Sequence, residues 1–408
     1  MGLPSLYTPK QIEVLTTTRS QDWFMLINSG AKRSGKTVLN NDLFLMELRR
    51  VKQVALLDGV HEPMYILGGV SSGTIEKNIL QELYNKYEIE PKFDKYNNFK
   101  LFGVKIVLAR TGNIGGVGSI RGMTSYGAYI NEASLANPMV FQEIVSRCSG
   151  RGARIICDTN PDNPEHWLKK KYIDNAGKGT LNFHFKLEDN TFLNERYVEE
   201  IKAITPSGMF YDRDILGLWV TADGVVYPDY DGQRHAISAE DIPPIHHYYA
   251  GVDWGYDHYG SIVILGETAD GRIYIVDGIA EQYEEIDFWV EQAKIFKARY
   301  GNIDFYADSA RPEHVVRFAR EGLKVHNARK EVIAGIEEVA KRWKNDTLFY
   351  VKGSIPRFED EIYQYRWKTN SLVDMPVKEY DDVLDSIRYA VYTEHNAKVK
   401  FKLLRGGL

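Results

Sequence analysis

The chain has 408 residues, 44% of them hydrophobic, a length that favours two globular domains. No apolar run is long enough to span a bilayer and the N-terminus lacks a basic-then-apolar leader; with only two cysteines, Cys148 and Cys157, a disulfide framework and a thiolate metal site are excluded and a cytoplasmic protein is expected. Residues 241–408 hold 23 Lys and Arg against 28 Asp and Glu, and residues 1–240 hold 28 of each, so the net charge of -5 leaves only local patches, such as Lys398, Lys400, Lys402 and Arg405, to meet a nucleic acid.

In chain order, the apolar run 23–27 reads as a strand. It leads into Gly30-Ala31-Lys32-Arg33-Ser34-Gly35-Lys36-Thr37, and a helical stretch at 38–50 leads out. Further strands are expected at 64–68, 105–109, 126–131, 154–158 and 181–185, and helices at 74–87, 139–148 and 194–204. This alternation predicts a mostly parallel sheet covered by helices on both faces. Residues 206–244 are rich in Gly, Pro and Asp and read as a linker between a domain at 1–205 and a second at 245–408. The second domain opens with three strands, 247–253, 261–265 and 272–276, joined by short turns that suit hairpins. A helix at 286–300, a strand at 303–307, helices at 312–321 and 331–343 and a strand at 348–351 follow. Helices at 355–365 and 381–394 close the chain.

The Gly-x-x-x-x-Gly-Lys-Thr pattern between a strand and a helix is a complete phosphate-binding loop. Its glycines let backbone N–H groups curl toward a phosphate, Lys36 reaches the outer phosphates, and Thr37 can hold Mg²⁺. Such a site needs an acid at a neighbouring strand end, and Asn131-Glu132 follows the strand 126–131. Glu132 is the candidate general base or water-orienting group. Asn131 stands where Asp is usual; its amide oxygen can hold a metal-bound water but brings no charge. Thr159-Asn160-Pro161 ends another strand at the same edge, placed to sense the γ-phosphate. The segment 112–118 is glycine-rich and reads as flexible; Arg121 beyond it is either an arginine finger or a structural or DNA-contacting residue. Gln11, ahead of the first strand, is a candidate reader of an adenine edge.

In the second half, Asp253 and Asp308 terminate apolar strands and Asp385 lies on a helix. Clustered carboxylates are costly unless a cation neutralises them, and hard divalent ions prefer oxygen ligands. Two metals held this way can activate water and stabilise the leaving oxygen of a phosphodiester. The order of three hairpin strands, helix, strand and helices resembles the ribonuclease H fold.

A phosphate-loop ATPase followed by a ribonuclease H-like half resembles the large terminase subunit of tailed bacteriophages or prophages, over nearly the whole chain. The resemblance is carried by residues 126–132, by Thr159-Asn160-Pro161, by Gly251-Val252-Asp253-Trp254-Gly255 and by Asp385-Ser386-Ile387-Arg388-Tyr389-Ala390. It implies an α/β protein: an N-terminal P-loop ATPase that drives double-stranded DNA into a procapsid, and a C-terminal ribonuclease H-like endonuclease that cuts the concatemer. Carried over, the resemblance makes Gln11 the adenine contact, and Gly30 to Thr37 with Asn131 the ATP and Mg²⁺ site. Glu132 becomes the catalytic glutamate, Arg121 a trans-acting arginine, Thr159 and Asn160 the coupling motif. Asp253, Asp308 and Asp385 become ligands of Mg²⁺ or Mn²⁺, with Asp382 standing where relatives often have His. It further implies a portal protein and a small terminase subunit as partners, a homo-oligomeric ring (a pentamer by resemblance), no membrane, and the host bacterial cytoplasm. Two alternatives stay open: a helicase–nuclease of DNA repair, and a nucleotide-gated structural adaptor.

Overall fold

The computed structural model of the protein describes residues 6–369 and 371–405, with side chains as far as residue 396. The basic side chains at 398–405 lie outside the described residues. The chain divides into two compact units, one running to Glu199 and including Tyr211–Thr221, the other comprising Glu200–Phe210 and everything from Ala222 onward. Residues 206–244, expected as a linker, are therefore shared out. Trp219 donates its indole N–H to Ser29 Oγ (2.8 Å) and Asp214 pairs with Lys32 (2.8 Å), which ties 211–221 to the first unit. Ser207 donates to Asp229, which also pairs with Lys344 (3.2 Å), within the second.

The first unit opens with helix α1 (Pro9–Ser20) and is built on seven strands: β1 (Met25–Gly30), β2 (Met64–Gly69), β3 (Phe99–Leu101), β4 (Val104–Arg110), β5 (Gly127–Ile130), β6 (Arg154–Thr159) and β7 (Thr180–Phe185). Their order is β3-β4-β2-β5-β6-β1-β7, parallel except for the β3–β4 edge pair, and β3, three residues long, is too short to have been legible in the sequence. Side chains of a strand alternate between faces, and the apolar residues sort accordingly. Leu26, Tyr65, Leu67, Tyr129 and Ile156 belong to one buried cluster with Leu39, Phe44 and Leu48 of helix α2 (Lys36–Leu57). Met25, Ile27, Ile66, Ala128, Ile130, Ile155 and Cys157 belong to another with Val140, Phe141 and Ile144 of a further helix, α3 (Pro138–Arg147). Both faces are covered, as a parallel sheet requires.

Two sequence expectations change. The helix expected at 74–87 is interrupted: Ser72–Ile75 and Gln81–Tyr87 are α-helical, but Glu76–Leu80 forms a π turn, a feature that often marks functional sites. The glycine-rich segment is not a loose loop. Ile114–Ser119 is a 3₁₀ turn, and a Cβ on Gly116 would lie 1.9 Å from Arg110 O, so this glycine serves close packing rather than flexibility.

The second unit carries β8 (Ala236–Ile237), β9 (His247–Asp253), β10 (Gly260–Glu267), β11 (Ile273–Glu281), β12 (Asp304–Ala307), β13 (Lys324–Asn327) and β14 (Leu348–Val351), in the order β13-β12-β9-β10-β11-β14-β8. β9, β10 and β11 are antiparallel hairpin neighbours, whereas β12 joins β9 in parallel. This is a ribonuclease H-like α/β fold. Helix α4 (Ile286–Tyr300) buries Trp289, Val290, Ala293 and Phe296 on one sheet face. The closing helix, α5 (Asp382–Arg405), approaches β9 so closely that a Cβ on Gly251 would fall 1.8 Å from Ser386 O. Only glycine permits that contact. The helix expected at 355–365 is confined to Pro356–Glu361.

Candidate active sites: a phosphate loop and a carboxylate cleft

β1 delivers the phosphate loop to the C-terminal edge of the first sheet. Gly30 lies where a Cβ would meet Phe185 O at 2.0 Å, and Gly35 adopts a left-handed conformation (φ 88°, ψ 7°) that glycine tolerates without strain. Gly35 is also the N-cap of the 22-residue α2, and no side chain caps this end. A long helix with an uncapped N-terminus leaves N–H groups and positive potential for an anion. Lys36 is buried, and its ammonium donates to Gly30 O (2.9 Å), Ala31 O (2.6 Å), Ser34 Oγ (3.2 Å) and Asn160 Oδ1 (3.3 Å). Burial lowers its pKa to about 8, against the opposing pull of Asp158 and then Asp214. Ser34 caps back onto Ala31 O, Ala31 N–H is taken by Phe185 O (2.8 Å), and Thr37 is half-buried beside them. Lys32 and Arg33 point outward; Arg33 holds a left-handed backbone (φ 60°), with its carbonyl accepting from Asn190 (2.7 Å).

Gln11 does reach the loop, though with its amide turned to the backbone. Oε1 accepts the Thr8 N–H in a capping box and Nε2 donates to Gly35 O, both at 2.9 Å. It braces the second glycine of the loop.

Three consecutive residues at the end of β6 tie the site together. Asp158 Oδ1 accepts the Glu132 main-chain N–H (2.9 Å), Thr159 Oγ1 accepts the Ser134 N–H (3.1 Å), and Asn160 Oδ1 accepts from Lys36. The phosphate lysine and the strand-end glutamate are thus linked through one strand. Glu132 itself sits in the left-handed region (φ 54°, ψ 51°), which costs an L-residue about 1–2 kcal/mol. Its carboxyl is half-buried, and burial, then the charge of Asp158, raises its pKa, as suits a group that takes a proton. Asn131 is fully buried. Its Oδ1 accepts from Asn78 (2.9 Å), carried by the π turn, and its Nδ2 donates to Asp158 Oδ1 (2.8 Å). The negative charge missing at position 131 lies one strand over, at Asp158. Arg121 is exposed, and among the described residues its side chain makes no hydrogen bond or ion pair.

In the second unit, β9 ends at Asp253, and Ala307 of β12 pairs with Val252, so Asp308 falls beside Asp253; Asp308 N–H donates to Val252 O (3.0 Å). α5 brings Asp382 and Asp385, four residues after Asp381, across the same edge. These carboxylates line one cleft of about 800 Å³ with His258, Lys330, Arg357, Lys378 and Arg388. Burial, then Asp385, Asp308, Asp382 and Asp381, raises the Asp253 pKa well above the carboxylate range. Its neighbours are met by protein cations: Lys330 on Asp308 (2.5 Å), Arg388 on Asp385 (2.8 Å) and Arg357 on Asp382 (3.6 Å), with His258 Nδ1 also 3.0 Å from Asp382. Among the described residues no three His, Cys, Asp or Glu side chains are grouped so as to hold a metal ion. The donor set, oxygen only and in excess of positive charge at Asp253, is of the kind a hard divalent cation takes.

Residues 78–210 match the family described as phage terminase large subunit. Over those residues the chain is similar to phage terminase large subunits. No curated protein matches it. The large terminase of a thermophilic bacteriophage is similar at 24% identity, with a TM-score of 0.76 over 94% of this chain and 98% of that one. The same phage protein in complex with ADP has a TM-score of 0.74 over 94% of this chain and 98% of that one, and in complex with ATP-gamma-S 0.72 over 95% and 99%, again at 24% identity. At that identity the likeness shows a terminase fold running through both units.

Within this terminase fold, the structure gathers Gly30 to Thr37, Gln11, Asn131, Glu132, Thr159 and Asn160 at one sheet edge and Asp253, Asp308, Asp382 and Asp385 at another. Among the described residues, Arg121 makes no hydrogen bond or ion pair with either group. Asp158, Asn78, Lys330, Arg388 and Glu361 were not among the expected site residues. Glu361 is fully buried; Oε2 accepts the N–H groups of Val383 (2.9 Å) and Leu384 (3.1 Å) and so caps α5. The one available signal was its place, four residues after Arg357 with which it pairs.

Burial, then the charge of Asp382, raises the Glu361 pKa to about 8, and burial, then Asp385, raises Asp381 to about 6. A carboxyl whose folded pKa exceeds its unfolded value stabilises below the unfolded value and loses that contribution as pH rises through the folded one. Calorimetry of the full chain is therefore expected to give a Tm that falls between pH 5 and pH 8. Glu361→Gln, which keeps an acceptor for the cap, flattens that slope; an unchanged slope argues against Glu361 as its source.

Proposed function

We propose that this chain is the motor subunit of phage DNA packaging: ATP hydrolysis in the first unit moves double-stranded DNA into a procapsid, and the second unit cuts the DNA. The observation that carries the reading is the end of β6, where Asp158, Thr159 and Asn160 bridge Glu132 to Lys36. Lys36 and the uncapped α2 N-terminus would bind the phosphates, Thr37 would hold the Mg²⁺ of the nucleotide, and Glu132 would orient and deprotonate the attacking water. The similar thermophilic phage terminase has been solved with ADP and with ATP-gamma-S, which supports nucleotide binding here. In the cleft, Asp253, Asp308 and Asp385, with Asp382 beside them, would hold Mg²⁺ or Mn²⁺. A bound divalent cation supplies Lewis-acid stabilisation of phosphodiester charge and lowers the pKa of water. Asp253, whose carboxyl has a raised proton affinity, would give up its proton to such a cation, and cutting is then expected to rise with pH through that ionisation. A portal protein, a small terminase subunit and a homo-oligomeric ring in the host bacterial cytoplasm belong to the same proposal.

The test is DNA-stimulated ATP hydrolysis together with Mn²⁺-dependent plasmid cutting by the purified chain. Absence of both rejects the proposal. The exposed Arg121 is proposed to complete the site of a ring neighbour. Mixing Arg121→Ala with Glu132→Ala chains is then expected to restore part of the ATPase through mixed interfaces, up to about a quarter of wild-type turnover if pairing is random. Full activity in a verified monomer removes the need for a trans-acting arginine.

A further inference from the structure

Asp158 is 1% exposed, and its carboxylate does not face open space. Oδ1 takes the Glu132 N–H (2.9 Å) and Asn131 Nδ2 (2.8 Å); Oδ2 takes the Tyr129 hydroxyl (2.8 Å), with Asn40 Nδ2 at 3.5 Å. All four lone-pair directions are thereby used, so Asp158 acts through its neighbours rather than on a ligand. Asn131 is pinned from its other side by Asn78, and Asn78 is placed by the π turn Glu76–Leu80. The chain Asn78, Asn131, Asp158 ends on the main chain of Glu132, a residue held in a left-handed conformation that nothing in its own side chain favours.

We propose that Asp158 is a positioning residue of the ATPase site: by accepting the Glu132 N–H and the Asn131 amide, it fixes the strained backbone that aims the Glu132 carboxylate. The inference rests on the ATPase reading above. A strand-end acid is ordinarily expected to serve the metal. Here the residue preceding Glu132 is a neutral amide, and the charge sits on β6, hydrogen-bonded inward. Its work is geometric. The adjoining Thr159 and Asn160 make the same strand end hold Ser134 and Lys36, so any shift of β6 moves the acid and the phosphate lysine together.

The experiment compares wild type, Asp158→Ala and Asp158→Asn in steady-state ATP hydrolysis, with thermal unfolding to verify folding. It adds Mg²⁺ titration of a fluorescent ATP analogue's binding. Asp158→Ala is expected to lower kcat about 100-fold with the KM for MgATP within about threefold, the size of loss that a misplaced catalytic group produces. Asp158→Asn keeps an oxygen for Glu132 N–H and Asn131 and is expected to recover kcat to within about tenfold of wild type. The Mg²⁺ midpoint stays put in both. Wild-type kcat in Asp158→Ala overturns the proposal. So does an Asp158→Asn that loses as much as about 100-fold while its Mg²⁺ requirement rises, which marks a metal-bound acid instead; this arm decides even if Asp158→Ala does not fold. A wild-type chain without ATP hydrolysis overturns the ATPase reading and this inference with it, whereas wild-type turnover indifferent to Asp158 overturns the inference alone.

Discussion

Lys36→Ala and Glu132→Ala are each expected to lower ATP turnover by about 10²–10³-fold or more, while DNA cutting persists. The two losses differ in kind. Lys36 brings the only side-chain ammonium buried in the phosphate loop, held on Gly30 O and Ala31 O at the mouth of α2, so its removal weakens nucleotide binding as well as turnover. Glu132 has its backbone fixed and its carboxyl turned toward a partly solvated position, so Glu132→Ala still binds ATP and fails at the water step. Nucleotide-binding fluorescence beside a phosphate-release assay separates them. Near-normal hydrolysis by Glu132→Ala points to a different acid.

Alanine at Asp253, Asp308 or Asp385 is expected to stop metal-dependent cleavage while leaving ATPase activity within about twofold, because the two chemistries lie in different compact units. The three substitutions are not equivalent for stability. Asp253 is crowded by like charge and burial, so Asp253→Ala relieves repulsion and raises Tm when no metal is added. Asp385 is the partner of Arg388, whose side chain is 2% exposed, and removing it strands a buried guanidinium at a cost of about 3–5 kcal/mol. Asp308 pairs with the more exposed Lys330, and its loss is milder. Plasmid-nicking gels read the activity, and scanning calorimetry reads the order; a destabilised Asp253→Ala refutes the repulsion argument.

Much of this was legible without coordinates because it depends on local pattern. A strand, a glycine loop with Lys36-Thr37 and a long helix are contiguous, and each needs only its own residues to be recognised. The alternation of strand-like and helical segments set the two layers of helices, and the hairpin order of the second half set the ribonuclease H-like sheet. The three aspartates were legible as strand ends and a helix position, although they span residues 253 to 385.

What the tertiary structure alone decided are the side-chain partners that cross between elements. Asn131 looked like a lost charge; only the pairing of β5 with β6 places Asp158 beside it and makes the amide a strut. Gln11 looked free to read a base; only the approach of α1 to the loop shows its amide spent on Thr8 and Gly35. The glycines at 112–118 looked like slack, and the contact of Gly116 with Arg110 O makes that one a packing residue. Lys330 carries no local signature, and the spacing of Arg388 from Asp385 and of Glu361 from Arg357 does not say what else either faces, since a counter-ion or a cap is defined by its partner. Sequence dictates which residues can do chemistry, because residue type and spacing are local. Which of them do it together is settled by strand order, register and burial, which are properties of the whole fold.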